Sequence, residues 1–240
     1  MDRRENAEPT DRSGADEPRS VMGLLRDPIV IVVLVSTAML LVVYYHRGDF
    51  GWLPFKAQRA RLGWFGLNFL CLFVVPALLT TLVLKRSLAD IGFTVGDWRL
   101  SLRYAALYGA VTIPVVLVAS RWPSFQAYYG RYLWGREDIP WLLIFHAGWL
   151  VYFFAWEFFF RGFLLLMLGE RFGAAAIALQ TMPFVMMHFP KPEMESVAAI
   201  VAGVALGWWA WRTRSFIGPW LLHWACSAVM ILSVLFWPAM

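Results

Sequence analysis

Long apolar runs separated by short polar stretches dominate the chain from residue 28 onwards. A helix needs about 20 mainly apolar residues to cross the hydrocarbon core of a bilayer, and most of these runs approach or exceed that length. Helices suit this environment because they satisfy their backbone hydrogen bonds internally. The pattern therefore predicts about seven transmembrane helices, at residues 28–45, 64–84, 102–120, 141–168, 173–189, 196–211 and 216–237.

The fourth run is the longest. A helix over residues 141–168 would be about 42 Å long at 1.5 Å per residue, whereas the hydrocarbon core is about 30 Å thick. We therefore expect this helix to tilt, protrude or break. Asp138 and Pro140 predict its start, since proline suits the first turn. Gly169 predicts its end, because glycine favours the C-terminus of a helix.

Two further patterns concern how the helices connect and pack. Residues 85–101 mix apolar and charged positions, which suits the membrane surface, but Gly92 and Gly96 argue against a continuous helix there. In the sixth run, Gly203 and Gly207 are four residues apart. Small residues at this spacing permit the close approach of a neighbouring helix.

Composition supports a membrane protein. The chain has 240 residues, of which 60% are hydrophobic and 15% are charged, and its mean hydropathy is +0.59. The net charge of +5 is spread over the connecting loops, so it predicts no nucleic-acid partner. We expect an all-α polytopic protein whose immediate partner is the lipid bilayer.

The N-terminal residues differ from the rest. Residues 1–27 are polar and of mixed charge, and we expect a disordered tail rather than a cleaved signal. Residues 28–240 then form one helical membrane domain. Lysine and arginine are in modest excess on the side of the tail, which predicts a cytoplasmic N-terminus.

One acid and one base stand out inside the fourth run. Glu157 and Arg161 are four residues apart, so on a helix they share a face. A charge at bilayer depth costs about 2.5–3.5 kcal/mol on insertion scales. We therefore expect the pair to point into the protein, where the two groups neutralise each other or face a wet cavity.

Three histidines and a serine complete the set of candidate side chains. His188 and His223 lie on other helices, and Ser227 follows His223 by one turn. His146 lies eleven residues before Glu157 and nearly on its face, so it is a further candidate, although a packing histidine is the ordinary alternative. Peptide hydrolysis needs a base to activate water and donors for the oxyanion, and this set offers both.

The order and spacing of these residues resemble a known family. The CAAX-protease and bacteriocin-processing (Abi) family of intramembrane proteases has three signatures, Glu-Glu-x-x-x-Arg, Phe-x-x-x-His and His-x-x-x-Asn/Asp. The corresponding residues here are Glu157 with Arg161 and Gly162, Phe184 with His188, and His223 with Ser227. The resemblance covers roughly residues 85–240, with its motifs in residues 157–227.

The resemblance implies a helical core that encloses a cavity in a membrane, such as the bacterial inner or plasma membrane. It implies that Glu157 and His188 activate water, that His223 and Ser227 bind the oxyanion, and that the substrate is a peptide or a membrane protein. The family has been described both as metal-dependent and as metal-free. A divalent metal such as zinc, held by Glu157, His188 and His223, therefore stays one of two alternatives.

Two positions depart from the signatures. Trp156 stands where the family has its first acid, which is usually assigned as the base, and Ser227 replaces Asn or Asp. The sequence therefore leaves two hypotheses. The protein is an intramembrane endopeptidase, or it is a catalytically inactive relative that binds or escorts a partner. A transporter is disfavoured because the chain shows no duplicated half.

Overall fold

The computed structural model describes residues 20–46, 57–132 and 137–236, with side chains from residue 61 in the second of these ranges. Within them the secondary structure is helical, without strands. Six of these helices are long and apolar enough to cross a membrane. The prediction of an all-α polytopic membrane protein is confirmed.

The helices follow the predicted runs closely. In chain order they are α1 (Val21–Arg26), α2 (Pro28–Tyr45), α3 (Ala57–Phe69), α4 (Val75–Leu78), α5 (Trp98–Ala119), α6 (Pro123–Tyr129), α7 (Ile139–Glu157), α8 (Leu165–Phe172), α9 (Ala176–Met186), α10 (Glu193–Thr213) and α11 (Ile217–Phe236). Three π-helical segments extend them, Leu70–Val74, Leu79–Val83 and Phe158–Leu164. The short helix α6 lies in a loop for which the sequence predicted no helix.

The count of six differs from the predicted seven because α7, α8 and α9 form one helical stretch, Ile139–Met186. The chain nevertheless reverses within it. The rings of Phe160 and Phe184 are 5.4 Å apart, although 24 residues of straight helix would separate them by about 36 Å. The reversal occurs at Gly173, whose φ of +55° suits glycine. The fourth and fifth runs are therefore two antiparallel passes.

The ends of the fourth helix were only partly predicted. Its start is as expected, since Asp138 Oδ1 accepts a hydrogen bond from the Trp141 amide at 3.2 Å. The predicted stop at Gly169 is wrong, because α8 continues to Phe172. Gly169 instead packs against the indole ring of Trp211.

The segment between the second and third spans forms turns, as Gly92 and Gly96 suggested. Both have positive φ values, +84° and +59°. This segment lies directly on the fourth helix, because a Cβ atom at Gly162 would be 2.6 Å from the carbonyl oxygen of Ile91. The position next to Arg161 must therefore be glycine for the loop to pack there.

Helices α9 and α10 make the predicted close contact. A Cβ atom at Gly203 would lie 2.6 Å from Thr181 Cγ2, and Gln180 Nε2 donates a hydrogen bond to the Gly203 carbonyl at 2.9 Å. Small residues therefore allow the backbone of α10 to approach the polar side chains of α9.

The fourth helix is the centre of the fold. In its most apolar stretch 83% of the residues are buried, whereas none is buried in the corresponding stretch of α5. Helix α5 thus presents most of its surface outward, and the polar residues of the fourth helix lie deep inside the protein. Residues 1–19 of the predicted disordered tail lie outside the described residues, and Val21–Arg26 forms α1.

Candidate active site

Glu157 is fully buried at the end of α7, and both of its carboxylate oxygens face a partner. Oε1 accepts a hydrogen bond from Nδ1 of His223 at 2.6 Å. Oε2 lies 3.2 Å from Nε of Arg161, one turn further along the chain. The predicted acid–base pair therefore points into the protein, and α11 supplies a third member through His223.

Arg161 is also fully buried, within the π-helical segment Phe158–Leu164. Its guanidinium carbon lies 4.0 Å from the ring centroid of Phe184, a cation–π contact. No described residue forms a regular hydrogen bond with the guanidinium nitrogens. The charge of Arg161 is thus balanced mainly by Glu157.

His223 connects the buried pair to open space. Its side chain is 16% exposed, and its ring packs against Phe153 with centroids 4.3 Å apart. A carboxylate only accepts hydrogen bonds, so Nδ1 carries the hydrogen that Glu157 receives. Nε2 makes no hydrogen bond with a described residue. This atom is available to a ligand or to water.

His188 follows α9 and is held in a similar way. Its Nδ1 donates to the Phe184 carbonyl oxygen at 2.7 Å, which leaves Nε2 without a described partner. Burial, and after it the nearby ammonium group of Lys191, hold the pKa of His188 well below its ordinary value. His188 is therefore neutral at physiological pH, with a lone pair on Nε2.

Both histidines line one cavity of about 340 Å³. Aromatic side chains form much of its wall, including those of Trp64, Tyr152 and Phe153. Glu157 and Arg161 are absent from the wall and lie behind His223. The structure thus brings the acid, the arginine and the two histidines together, but only the histidines face the cavity.

Trp156 lines the cavity wall, whereas the next residue, Glu157, does not. Consecutive residues of a helix point about 100° apart, so the two side chains cannot face the same way. The Trp156 ring lies 5.5 Å from that of Tyr152 and 6.1 Å from that of His188. An indole therefore stands beside His188 where the family signature has an acid.

Two of the candidates from the sequence lie away from the cavity wall. Ser227 is partly buried on α11 and makes no hydrogen bond with His223. Nε2 of His146 is buried without a described partner. Eleven residues of helix place His146 about 16 Å from Glu157 along the axis. Roles for Ser227 and His146 stay predictions.

The residues do not fit a metal site of three protein ligands. In the described ranges, no group of three or more His, Cys, Asp and Glu side chains is placed to hold a metal ion. The oxygens of Glu157 are taken up by His223 and Arg161, and Nδ1 of His188 is taken up by a carbonyl. We therefore derive no catalytic step through a metal.

Sequence reasoning missed a group of basic residues on the same cavity wall. Arg61, Arg131 and Lys191 come from three segments that the sequence assigned to polar loops or their edges. One signal was present, since basic residues alternate with aromatic ones in these loops. Only the tertiary structure shows that the three meet.

Comparison with known proteins bears on the same region. The family model described as type II CAAX prenyl endopeptidase Rce1-like matches residues 138–229, from the first cap of α7 to a point within α11. No curated protein and no solved structure matched the chain. The match confirms the resemblance to CAAX proteases that the three motifs indicated. Residues 138–229, which carry Glu157, Arg161, His188 and His223, are therefore similar to the Rce1-like family of type II CAAX prenyl endopeptidases.

Proposed function

We propose that this protein is an intramembrane endopeptidase that cleaves a peptide or a membrane protein with a water molecule activated by histidine. The observation that supports the proposal is the pair of histidines in one cavity, each with Nδ1 fixed and Nε2 free. Fixed imidazoles with a free nitrogen suit proton transfer and oxyanion binding, which are the two tasks of amide hydrolysis.

In this proposal His188 is the general base. It is neutral because burial disfavours its charged form, and its Nε2 lone pair is free to accept a proton from water. The hydrogen bond from Nδ1 to the Phe184 carbonyl fixes both the tautomer and the ring orientation. Glu157 does not take this role because its oxygens do not reach the cavity.

His223 is the oxyanion donor. Of the two histidines only His223 has a carboxylate partner, and a carboxylate at 2.6 Å stabilises an imidazolium relative to the same ring without one. When this ring is protonated, the imidazolium presents Nε2–H to the cavity. Glu157 positions the ring, and Arg161 holds Glu157 in its charged form by balancing its charge.

The reaction follows from these roles. The water oxygen attacks the scissile carbonyl carbon while its proton passes to Nε2 of His188. The tetrahedral oxyanion accepts a hydrogen bond from Nε2–H of His223. His188 then returns the proton to the leaving nitrogen, the C–N bond breaks, and a carboxylic acid and an amine result.

The test is a cleavage assay with the purified protein in lipid vesicles. Loss of a general base or of an oxyanion donor typically costs about 10²–10³-fold in rate, so His188→Ala and His223→Ala should each lose at least about 100-fold. His46→Ala is the matched control, because this histidine is exposed at the C-terminal end of α2, outside the cavity wall, and should keep the rate. Unchanged cleavage by His188→Ala would exclude the proposed base.

A second candidate function rests on Trp156. An indole on the wall in place of an acid favours a protein that binds a peptide without cleaving it. Trp156→Glu distinguishes the two. If the unmodified protein cleaves nothing in a peptide library while Trp156→Glu cleaves, the natural protein is a binder that has lost its base.

We propose that the protein resides in a bacterial inner or plasma membrane with its N-terminus in the cytoplasm, because positive charge is in excess on that side. Labelling of single cysteines by an impermeant reagent in intact cells would test the orientation.

A further inference from the structure

Three cations line the cavity together with the histidines. Arg61 begins the second span, Arg131 follows α6, and Lys191 precedes α10. We call these three residues the basic cluster. Among the described residues that line the cavity there is no aspartate or glutamate.

The charge of the basic cluster is only partly neutralised. Lys191 forms an ion pair with Glu195 at 2.7 Å, and the hydroxyl of Tyr129 donates to the same carboxylate at 2.8 Å. Neither Arg61 nor Arg131 forms an ion pair with a described residue. Two guanidinium groups without a carboxylate partner among the described residues therefore face a partly enclosed space.

Aromatic rings hold both guanidinium groups in place. The Arg61 carbon Cζ lies 5.5 Å from the ring centroid of Trp64 and 5.8 Å from that of Tyr132. The Cζ of Arg131 lies 3.9 Å above Tyr128, and its Nε donates to the Tyr128 carbonyl at 2.7 Å. An arginine packed over a ring keeps the N–H groups at its edge free for a carboxylate, and less side-chain entropy is lost on binding.

The size of the cavity limits what binds there. Its volume of about 340 Å³ is near the lower end of small-molecule sites, which span about 300–1,000 Å³. An extended peptide advances about 3.3–3.6 Å per residue, so only a few residues fit. A group bound by the basic cluster is then close in sequence to a bond placed between the histidines.

We propose that Arg61 and Arg131 bind a carboxylate of the peptide ligand within a few residues of the bond presented to His188 and His223. The inference rests on the proposed function only in taking a peptide as the ligand. The carboxylate has two sources, an acidic side chain or the C-terminus of the peptide. The same chemistry also suits a lipid phosphate, which is an outcome that the experiment must exclude.

The experiment measures binding, so it does not depend on cleavage. Three fluorescein-labelled pools of randomised heptapeptides serve as probes. The first lacks Asp and Glu and ends in an amide, the second is the same with a free C-terminal carboxylate, and the third ends in an amide but carries one Glu. Fluorescence anisotropy gives the affinity of each pool for the unmodified protein in phosphatidylcholine nanodiscs, with probe integrity checked by mass spectrometry.

We expect one of the acidic pools to bind at least about tenfold more tightly than the neutral pool, because hydrogen bonds between charged groups are stronger than those between neutral groups. The pool that binds identifies the source of the carboxylate. Arg61→Gln and Arg131→Gln should each reduce this preference, and Arg61→Lys should retain part of it. Arg86→Gln is the control, because Arg86 pairs with Glu170 away from the cavity.

Two results would overturn the inference. Equal affinity for the three pools would show that the basic cluster does not read a carboxylate, and this comparison needs no variant to fold. Loss of the preference in nanodiscs that contain phosphatidylglycerol would assign the arginines to lipid phosphate. Binding of acidic peptides without cleavage would instead refute the proteolytic function and leave the inference standing.

Discussion

The buried pair of Glu157 and Arg161 offers a quantitative test of the site. Both side chains are fully buried, and Oε2 of Glu157 lies 3.2 Å from Nε of Arg161. The perturbation is Glu157→Gln, which removes the negative charge but keeps the size of the side chain. Arg161 would then remain as a buried cation beside the rings of Phe184 at 4.0 Å and Phe160 at 5.8 Å, without a carboxylate among the described residues.

The magnitude follows from burial rather than distance. Removing one partner of a buried pair costs about 3–5 kcal/mol, because the other charge is left uncompensated. The pair of Arg86 and Glu170 is closer, at 2.7 Å, but both side chains are 42% exposed. Such a surface pair contributes about 0–1 kcal/mol. Glu157→Gln should therefore destabilise the protein strongly, and Glu170→Gln hardly at all.

The assay is the free energy of unfolding in mixed detergent micelles as a function of the fraction of SDS. Arg161→Met alone should cost less than Glu157→Gln, because His223 still bonds to the remaining carboxylate. The double variant, Glu157→Gln with Arg161→Met, contains neither of the two buried charges. Its loss should be smaller than the sum of the single losses by about 1–3 kcal/mol.

Additive losses would contradict the coupling between Glu157 and Arg161. If the losses of Glu157→Gln and Arg161→Met simply add, the two groups do not stabilise each other and do not form the buried pair at the end of α7. The same conclusion follows if Glu170→Gln destabilises as much as Glu157→Gln.

Two further predictions concern pH and packing. The Lys191 ammonium group contributes to the low pKa of His188, so the acid limb of the rate–pH profile should lie below pH 6.5 in the unmodified protein. The limb should move to higher pH in Lys191→Met but not in Lys85→Met. An unmoved limb in Lys191→Met would exclude His188 as the base. Gly203→Ala should lower the free energy of unfolding by about 1–3 kcal/mol, because its Cβ atom would meet Thr181. Gly66→Ala has nothing within 4 Å of its Cβ atom and should raise the free energy of unfolding by up to about 1 kcal/mol. Equal effects of the two substitutions would contradict the packing of α9 on α10.

Much of the fold could be predicted from the sequence, because a bilayer requires every crossing segment to satisfy its own backbone. Apolar runs therefore marked the spans, and α2 matches the predicted residues 28–45. Local chemistry also placed the start of the fourth helix at Asp138. Local sequence rules did not predict the end of this helix correctly. Both Gly169 and Gly173 suit a helix terminus, and only the packing against Trp211 decided between them.

The sequence also predicted which side chains come together at the candidate site, although their roles stay predictions. A charge inside an apolar run is expensive enough to need a partner, and Glu157 and Arg161 were one turn apart. Three motifs in order then linked this pair to His188 and His223. Helical periodicity predicted that Trp156 and Glu157 point in different directions. It did not predict which of the two faces the cavity.

The tertiary structure decides whether Trp156 or Glu157 faces the cavity. Helix α11 places His223 between the Glu157 carboxylate and the cavity, so Glu157 does not line the wall, whereas Trp156 does. The basic cluster likewise exists only because three loops distant in sequence meet at one cavity. The order of residues along the chain already identifies which groups are too costly to leave unpaired in a membrane. Only the packing of separate helices decided which of those groups water and a substrate can reach, because access depends on neighbours that no local pattern encodes.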